Sequence, residues 1–207
     1  MKPLVLLGLG FFLTLRLLSA QPISLFDGKS FTGWDGDTNR TWRIAGGTLQ
    51  GGSLQSMVPR NEFVATTRSF TNFVLRAQFK LEGTEGFLNS GIQFRSQRVP
   101  QDSEMIGYQA DIGDGWWGAL YDESRRNKVL AKPSDADMGK PVKKGQWNHY
   151  EIRCEGPHIV LKINGVTTVD YIEKDPTIPQ QGRIGLQVHG GGKTLVSFKD
   201  IQVQELP

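Results

Sequence analysis

The sequence predicts an all-β chain folded as an antiparallel β-sandwich of the jelly-roll kind. Three observations predict it. From Ile23 onward, apolar and polar residues alternate in short runs, the period of a strand with one buried face. Turn residues punctuate the runs, with 25 Gly and 10 Pro in 207 residues. No stretch after Ile23 keeps the 3.6-residue period of an amphipathic helix, so the strands must pair with one another directly. No internal repeat or linker interrupts residues 21–207, which read as a single domain long enough to bury a substantial core.

The first twenty residues stand apart. Lys2 precedes an apolar run from Leu4 to Leu15, and L-S-A ends at Ala20 before Gln21. That is the pattern of an export signal, and the run is too short to span a bilayer comfortably. The mature chain is therefore expected to start near Gln21, outside the cytoplasm (secreted or periplasmic), with no membrane span left after signal removal. No cysteine follows the cut to take a lipid.

I-S-L-F leads to D-G-K and then F-T-G-W with Trp34. W-R-I and T-L-Q flank Ala45-Gly46-Gly47, a hairpin signal. In N-F-V-L-R-A-Q-F-K-L, Phe73, Leu75, Ala77, Phe79 and Leu81 share one face while Arg76, Gln78 and Lys80 take the other. Residues 96–105 read as a polar loop, and residues 122–145 as a longer one whose length suggests function or mobility. H-Y-E-I-R-C-E and H-I-V-L-K-I-N join through Gly156-Pro157, and Asn164-Gly165 turns into V-T-T-V-D-Y-I. R-I-G-L-Q-V-H follows, with Ile184, Leu186 and Val188 facing inward. The last strand changes phase near Asp200, which predicts a bulge.

Composition excludes several functions. Of 24 Lys and Arg, Lys2 and Arg16 fall in the leader, leaving 22 against 21 Asp and Glu. The mature chain is nearly neutral and carries no basic cluster, so nucleic acid is not an expected partner. Cys154 is the only cysteine and falls on the apolar face with Tyr150 and Ile152, a buried structural thiol. There is no G-x-S-x-G, H-E-x-x-H, C-x-x-C or phosphate loop. The E-x-D-x-x-E spacing of jelly-roll glucanases is also missing, against a retaining glycosidase, which needs two carboxylates about 5 Å apart.

The stretch from Gly86 to Arg126 is the richest in chemistry. In S-G-I-Q-F-R, Ile92 and Phe94 point one way, so Gln93 and Arg95 should point the other. In I-G-Y-Q-A-D-I, Gln109 and Asp111 oppose Tyr108, Ala110 and Ile112. If the strands are neighbours, Arg95 and Asp111 meet on one surface. From R-I-G-L-Q-V-H-G, Gln187 and His189 join that polar face, which could equally be merely solvated. The G-D-G-W-W-G run adds Asp114 and two tryptophans, followed by Tyr121, Asp122, Glu123 and Arg125. One of Trp116 and Trp117 belongs in the core; the other is a stacking platform. Aromatic faces beside carboxylates suit a sugar ring, so a carbohydrate is the expected ligand. Should a divalent ion be used, Asp111, Asp114 and His189 are the set that could hold it.

The motifs N-S-G-I-Q-F-R, G-Y-Q-A-D-I-G, W-G-A-L-Y-D-E, K-G-Q-W-N-H-Y-E-I, I-N-G-V-T-T-V-D-Y and G-R-I-G-L-Q-V-H-G resemble, in order, the 3-keto-disaccharide hydrolase domain family. The resemblance runs from L-F-D-G-K-S-F-T-G-W to the last strand, essentially the whole mature chain. It implies a concanavalin A-like jelly roll, exported by bacteria for glycan breakdown, acting on 3-keto-disaccharides or 3-keto-glycosides. Many relatives read G-Y-E-x-Q where this chain has Gln109 and Asp111. The implied chemistry needs a base, an enolate stabiliser and an acid. The expected roles are Asp111 or His189 as base, Arg95 as stabiliser, and Asp114 or Glu123 as acid. Gln93, Gln109, Trp116, Trp117, Tyr121, Asp122, Arg125 and Gln187 are expected to bind substrate. A non-catalytic carbohydrate-binding module would present the same aromatic surface.

Overall fold

A computed structural model describes residues 20–207. The leader expected over residues 1–20 thus lies, Ala20 apart, outside the described residues. Fifteen strands follow in order: β1 Ile23–Ser24, β2 Trp34–Gly36, β3 Trp42–Ala45, β4 Thr48–Gly52, β5 Glu62–Phe70, β6 Phe73–Gly86, β7 Asn89–Arg98 and β8 Met105–Gly113. The second half holds β9 Leu120–Glu123, β10 Lys128–Ala131, β11 Asn148–Glu155, β12 His158–Ile163, β13 Val166–Ile172, β14 Gly182–Val188 and β15 Gly192–Glu205. They form two antiparallel sheets, in the orders β13-β12-β11-β6-β15-β4-β3 and β10-β9-β8-β7-β14-β5-β2, with β1 added to β15. This is the expected jelly-roll sandwich.

The local signals act as their chemistry requires. Gly46 and Gly47 both take positive φ, which lets β3 turn tightly into β4. Asp200 adopts φ 50° where the β15 register shifts between Lys199 and Gln202. That bulge lets Phe198, Ile201 and Val203 all reach the core despite their broken alternation. The core fills the space between the sheets with Phe73, Leu75 and Phe79 of β6, Ile92 and Phe94 of β7, and Ile152 and Cys154 of β11. Burial pushes the Cys154 thiol up to about 12, so it stays protonated and inert.

Two expectations change. The long loop at 122–145 contains β10, and its Met138 and Val142 pack against the core. Part of it is therefore scaffold. The alternation of β7 also fails after Phe94: Arg95 takes φ 48°, and the pairing with β8 jumps from Phe94 to Gln97. A bulge inserts a residue there and turns Arg95 away from the face shared by Gln93 and Asp111.

Candidate functional site

The site lies on the outer face of the seven-stranded sheet. Its registers set Phe63, Gln187, Gly91 and Asp111 on one cross-strand rung. Ala65, Gly185, Gln93, Gln109 and Tyr121 form the next rung that faces the same way, and Glu123 opposite Gly107 continues the row. Gly91 is glycine for a packing reason: a Cβ there would lie 2.6 Å from the Gln109 side chain, which crosses above it. Phe87, Asn89, Gln109, Asp111, Trp116, Tyr121, Glu123 and His189 enclose a cleft of about 130 Å³.

Asp111 is the centre of the arrangement. The Ser96 hydroxyl donates to Gln93 Oε1 at 2.5 Å, and Gln93 Nε2 donates to Gln109 Oε1 at 3.2 Å. Gln109 Nε2 then donates to Asp111 Oδ1 at 2.9 Å. The chain of donors fixes both amides in orientation and pins one carboxyl oxygen. The other, Oδ2, is buried without a protein partner on a side chain only 2% exposed. Burial pushes the Asp111 carboxyl well above the usual carboxylate range, against the Gln109 bond and with help from nearby Glu123. The direction of that shift favours the protonated form of Asp111.

Glu123 is tuned in the same direction. Burial, followed by the charge of Glu104, brings it up to about 7. Gln187 stands beside it and opposes that shift, yet neither of its buried amide atoms meets hydrogen-bond geometry with a protein group. His189 is held differently. Its backbone N–H donates to Asn89 O at 3.1 Å, and its Nδ1 lies 2.7 Å from Gly190 O. A carbonyl can only accept, so Nδ1 carries a proton, and in the neutral tautomer Nε2 is the nitrogen that bears the lone pair. The Phe87 ring meets the imidazole edge-on at 4.7 Å, and Trp116 meets Tyr121 edge-on at 6.0 Å.

The remaining predicted site residues lie elsewhere. Arg95 is 2% exposed and donates to Thr71 O (3.0 and 2.7 Å), Gly156 O (2.7 Å) and Asn72 Oδ1 (3.4 Å). It clamps two turns and cannot stabilise an enolate on the outer face. Asp114 accepts from Trp117 Nε1 at 2.8 Å and pairs with Lys144 at 2.7 Å. Lys144, then Trp117, hold its carboxyl below the usual range, and it lines a different hollow from Asp111 and His189. Trp117 is the core tryptophan, stacked on Phe79, which leaves Trp116 for the cleft. Asp122 faces inward opposite Tyr108, bound to Arg125 and Arg126. Arg125 in turn lies over the Tyr108 ring at 4.6 Å, so this pair is a structural tie. Gln93 and Gln187 occupy the predicted face but are covered, and they support the cleft from its edge. With Asp114 elsewhere, the Asp111–Asp114–His189 set does not assemble, and no group of three or more His, Cys, Asp or Glu suited to a metal occurs among the described residues.

The sequence reading misses Phe87, Asn89 and Glu104. Extending the β8 alternation backwards puts Met105, not Glu104, on the outer face, so no periodic signal finds the glutamate. Asn89 sits inside a quoted motif and could have been read as an amide donor.

The chain matches the family described as "3-keto-alpha-glucoside-1,2-lyase-like domain" over residues 21–204, and it belongs to that family. Among solved structures, a candidate glycosyl hydrolase from Parabacteroides distasonis ATCC 8503 is 24% identical, with a TM-score of 0.66, covering 90% of this chain and 100% of that one. The carbohydrate-binding module CBM66 from Bacillus subtilis is 17% identical at a TM-score of 0.65, covering 84% and 96%. The kappa-carrageenase of Pseudoalteromonas carrageenovora is 9% identical at 0.58, covering 95% and 99%. At these identities the likeness establishes the shared jelly roll. No curated protein matches the chain.

Proposed function

We propose that this chain is an exported carbohydrate-active enzyme that cleaves 3-keto-glycosides by elimination across carbons 1 and 2. Family membership supports the substrate class. The observation that carries the chemistry is the buried Asp111 carboxyl, pinned at Oδ1 and open at Oδ2, in one cleft with the free Nε2 of His189.

A ketone at carbon 3 acidifies the proton on carbon 2. His189 Nε2 takes that proton, and the C–H electrons move to the keto oxygen as an enolate. Neutral Asp111 donates its Oδ2 proton as a hydrogen bond to that oxygen, which replaces the stabilising role expected of Arg95. The enolate collapses, carbon 3 regains its carbonyl, a double bond forms between carbons 1 and 2, and the glycosidic C–O bond breaks. Glu123 protonates the departing oxygen. Addition of water to carbon 1 completes a net hydrolysis: Glu123 recovers a proton from the water, and His189 returns its own to carbon 2. Trp116 and Tyr121 supply the apolar wall for the sugar ring.

The decisive experiment incubates the purified protein with a 3-keto-disaccharide and with its unoxidised parent. Release of the second sugar from the oxidised form alone supports the route. Binding of the keto-sugar without release, with and without divalent ions, would instead favour a non-catalytic binding module, the reading that the likeness to CBM66 supports. Export is tested by sequencing the N-terminus of mature protein, expected near Gln21.

A further inference from the structure

Beside the cleft lies a larger groove of about 700 Å³, whose lining includes Asp37, Arg40, Arg43, Met57, Arg60 and Glu62. A thin wall divides the two. Gly190, next in sequence to His189, approaches the Arg60 backbone so closely that a Cβ would lie 2.6 Å from it. The Gly190 N–H also donates to Asn61 Oδ1 at 3.0 Å. Apolar surface crosses the rim: Met57 is 44% and Phe87 41% exposed, two of the five large apolar side chains exposed among the described residues. Their segments meet at Gly86, where a Cβ would stand 3.1 Å from the Met57 methyl.

The charges of the groove are unevenly committed. Asp37 accepts from the backbone N–H groups of Asn39 and Arg40 and from the Thr41 hydroxyl. Glu62 is buried and paired with Arg60 Nε at 2.9 Å. Arg43 Nη1 donates to Gly52 O at 2.7 Å and keeps further donors. Exposed Arg40 has no side-chain partner among the described residues. The acids are thus satisfied locally, while one whole guanidinium (Arg40) and parts of two others (Arg43 and Arg60) remain open.

We infer that this groove receives the leaving half of the substrate, and that this half carries an anionic group, a carboxylate or a sulfate, which pairs with Arg40. The inference rests on reading the adjacent cleft as the place where a glycoside is cleaved. A ring leaving that cleft passes over the His189–Gly190 turn, lies on Met57 and Phe87, and reaches Arg40 and Arg43 with its charged edge. Planar guanidinium groups fit either oxyanion.

The test measures equilibrium binding of three unoxidised disaccharides, which lack the ketone and so cannot follow the elimination route. They share the first sugar and differ in the second, which is neutral, a uronate or sulfated. An exposed pair predicts that at least one anionic ligand binds about 1.5- to fivefold more tightly than the neutral one. The preference should shrink in Arg40→Gln, shrink further or invert in Arg40→Glu, and collapse near 1 M salt, where charges are screened beyond about 3 Å. Neutral binding should stay constant throughout. Equal affinities in the wild type, or equal losses for all three ligands in Arg40→Gln, would overturn the inference. Comparing the uronate with the sulfated ligand identifies the anion. Cleavage of the 3-keto counterparts is scored separately. An Arg40-dependent preference without cleavage keeps the groove and removes the elimination reading, and cleavage without a preference does the reverse.

Discussion

If Asp111 acts as a neutral hydrogen-bond donor, Asp111→Asn and Asp111→Leu should part company. In the Asn variant, Oδ1 can still accept from Gln109 Nε2, and Nδ2 takes the place of the open Oδ2 and donates to the enolate. An amide is a weaker donor than a carboxyl, so a loss of about tenfold in kcat is expected. The Leu variant has no donor, and removing one oxyanion-hole donor costs about 10²–10³-fold. It also strands the Gln109 N–H in a covered position, worth about 1–3 kcal/mol of stability, whereas Asn should be close to neutral. Steady-state kinetics on a 3-keto-disaccharide give kcat and KM, and urea unfolding gives stability. The reasoning is refuted if Asn is as inactive as Leu while folded. That outcome would mean that Asp111 must ionise and serves as the base.

Glu123 sets a pH limit. As an acid brought up to about 7, it must be protonated to work, so kcat should fall as pH rises through about 7; in Glu123→Gln the slower residual rate should lose that limb. Because the folded state retains the Glu123 proton between about 4.5 and 7 while the unfolded chain releases it, Glu123 makes stability fall with rising pH across that window, and Gln should remove this contribution in unfolding curves taken at several pH values. Arg95→Met should destabilise the fold by about 3–5 kcal/mol, since it strands carbonyls that a buried cation satisfies, while kcat per folded molecule stays unchanged; loss of kcat in a variant of normal melting temperature would return Arg95 to the site. Trp116→Ala should raise KM about tenfold and change kcat little, with the reverse split counting against a stacking role.

Most of the fold was legible because strand alternation and turn chemistry are local. Asn164-Gly165, Gly46-Gly47 and the phase slip at Asp200 each mark a feature that the backbone realises. The polar face was legible for the same reason: Gln93, Gln109, Asp111 and Gln187 share a side through an unbroken period of two. The errors arise where that period breaks. A bulge at Arg95 needs only one residue at positive φ, and arginine carries none of the glycine or asparagine signal that usually announces it. Asp122 and Asp114 show another limit. Carboxylates beside basic or indole donors look alike in sequence whether they serve a site or tie loops together, and only tertiary packing separates Glu123 from Asp122.

The displacement of Arg95 also makes the rest of the cleft intelligible. No lysine or arginine lines it, yet Asp111 and Glu123 do, and Glu104 lies near enough to act on Glu123. Carboxylates gathered in a covered space without a cation cannot all ionise; burial and mutual repulsion oblige some to keep their protons. A cation inside the cleft would undo this by favouring the charged forms. With Arg95 turned to the carbonyls of Thr71 and Gly156, no guanidinium opposes the upward shifts of Asp111 and Glu123, which supply the hydrogen-bond donor and the proton donor that the proposal needs. Both are made from residues that in water would be ionised. His189, oriented by the contact of Nδ1 with Gly190, then turns Nε2 to the proton-accepting role that the proposal gives it. The bulge thus separates the scaffold's cation from the site's acids, and the proposed elimination depends on that separation.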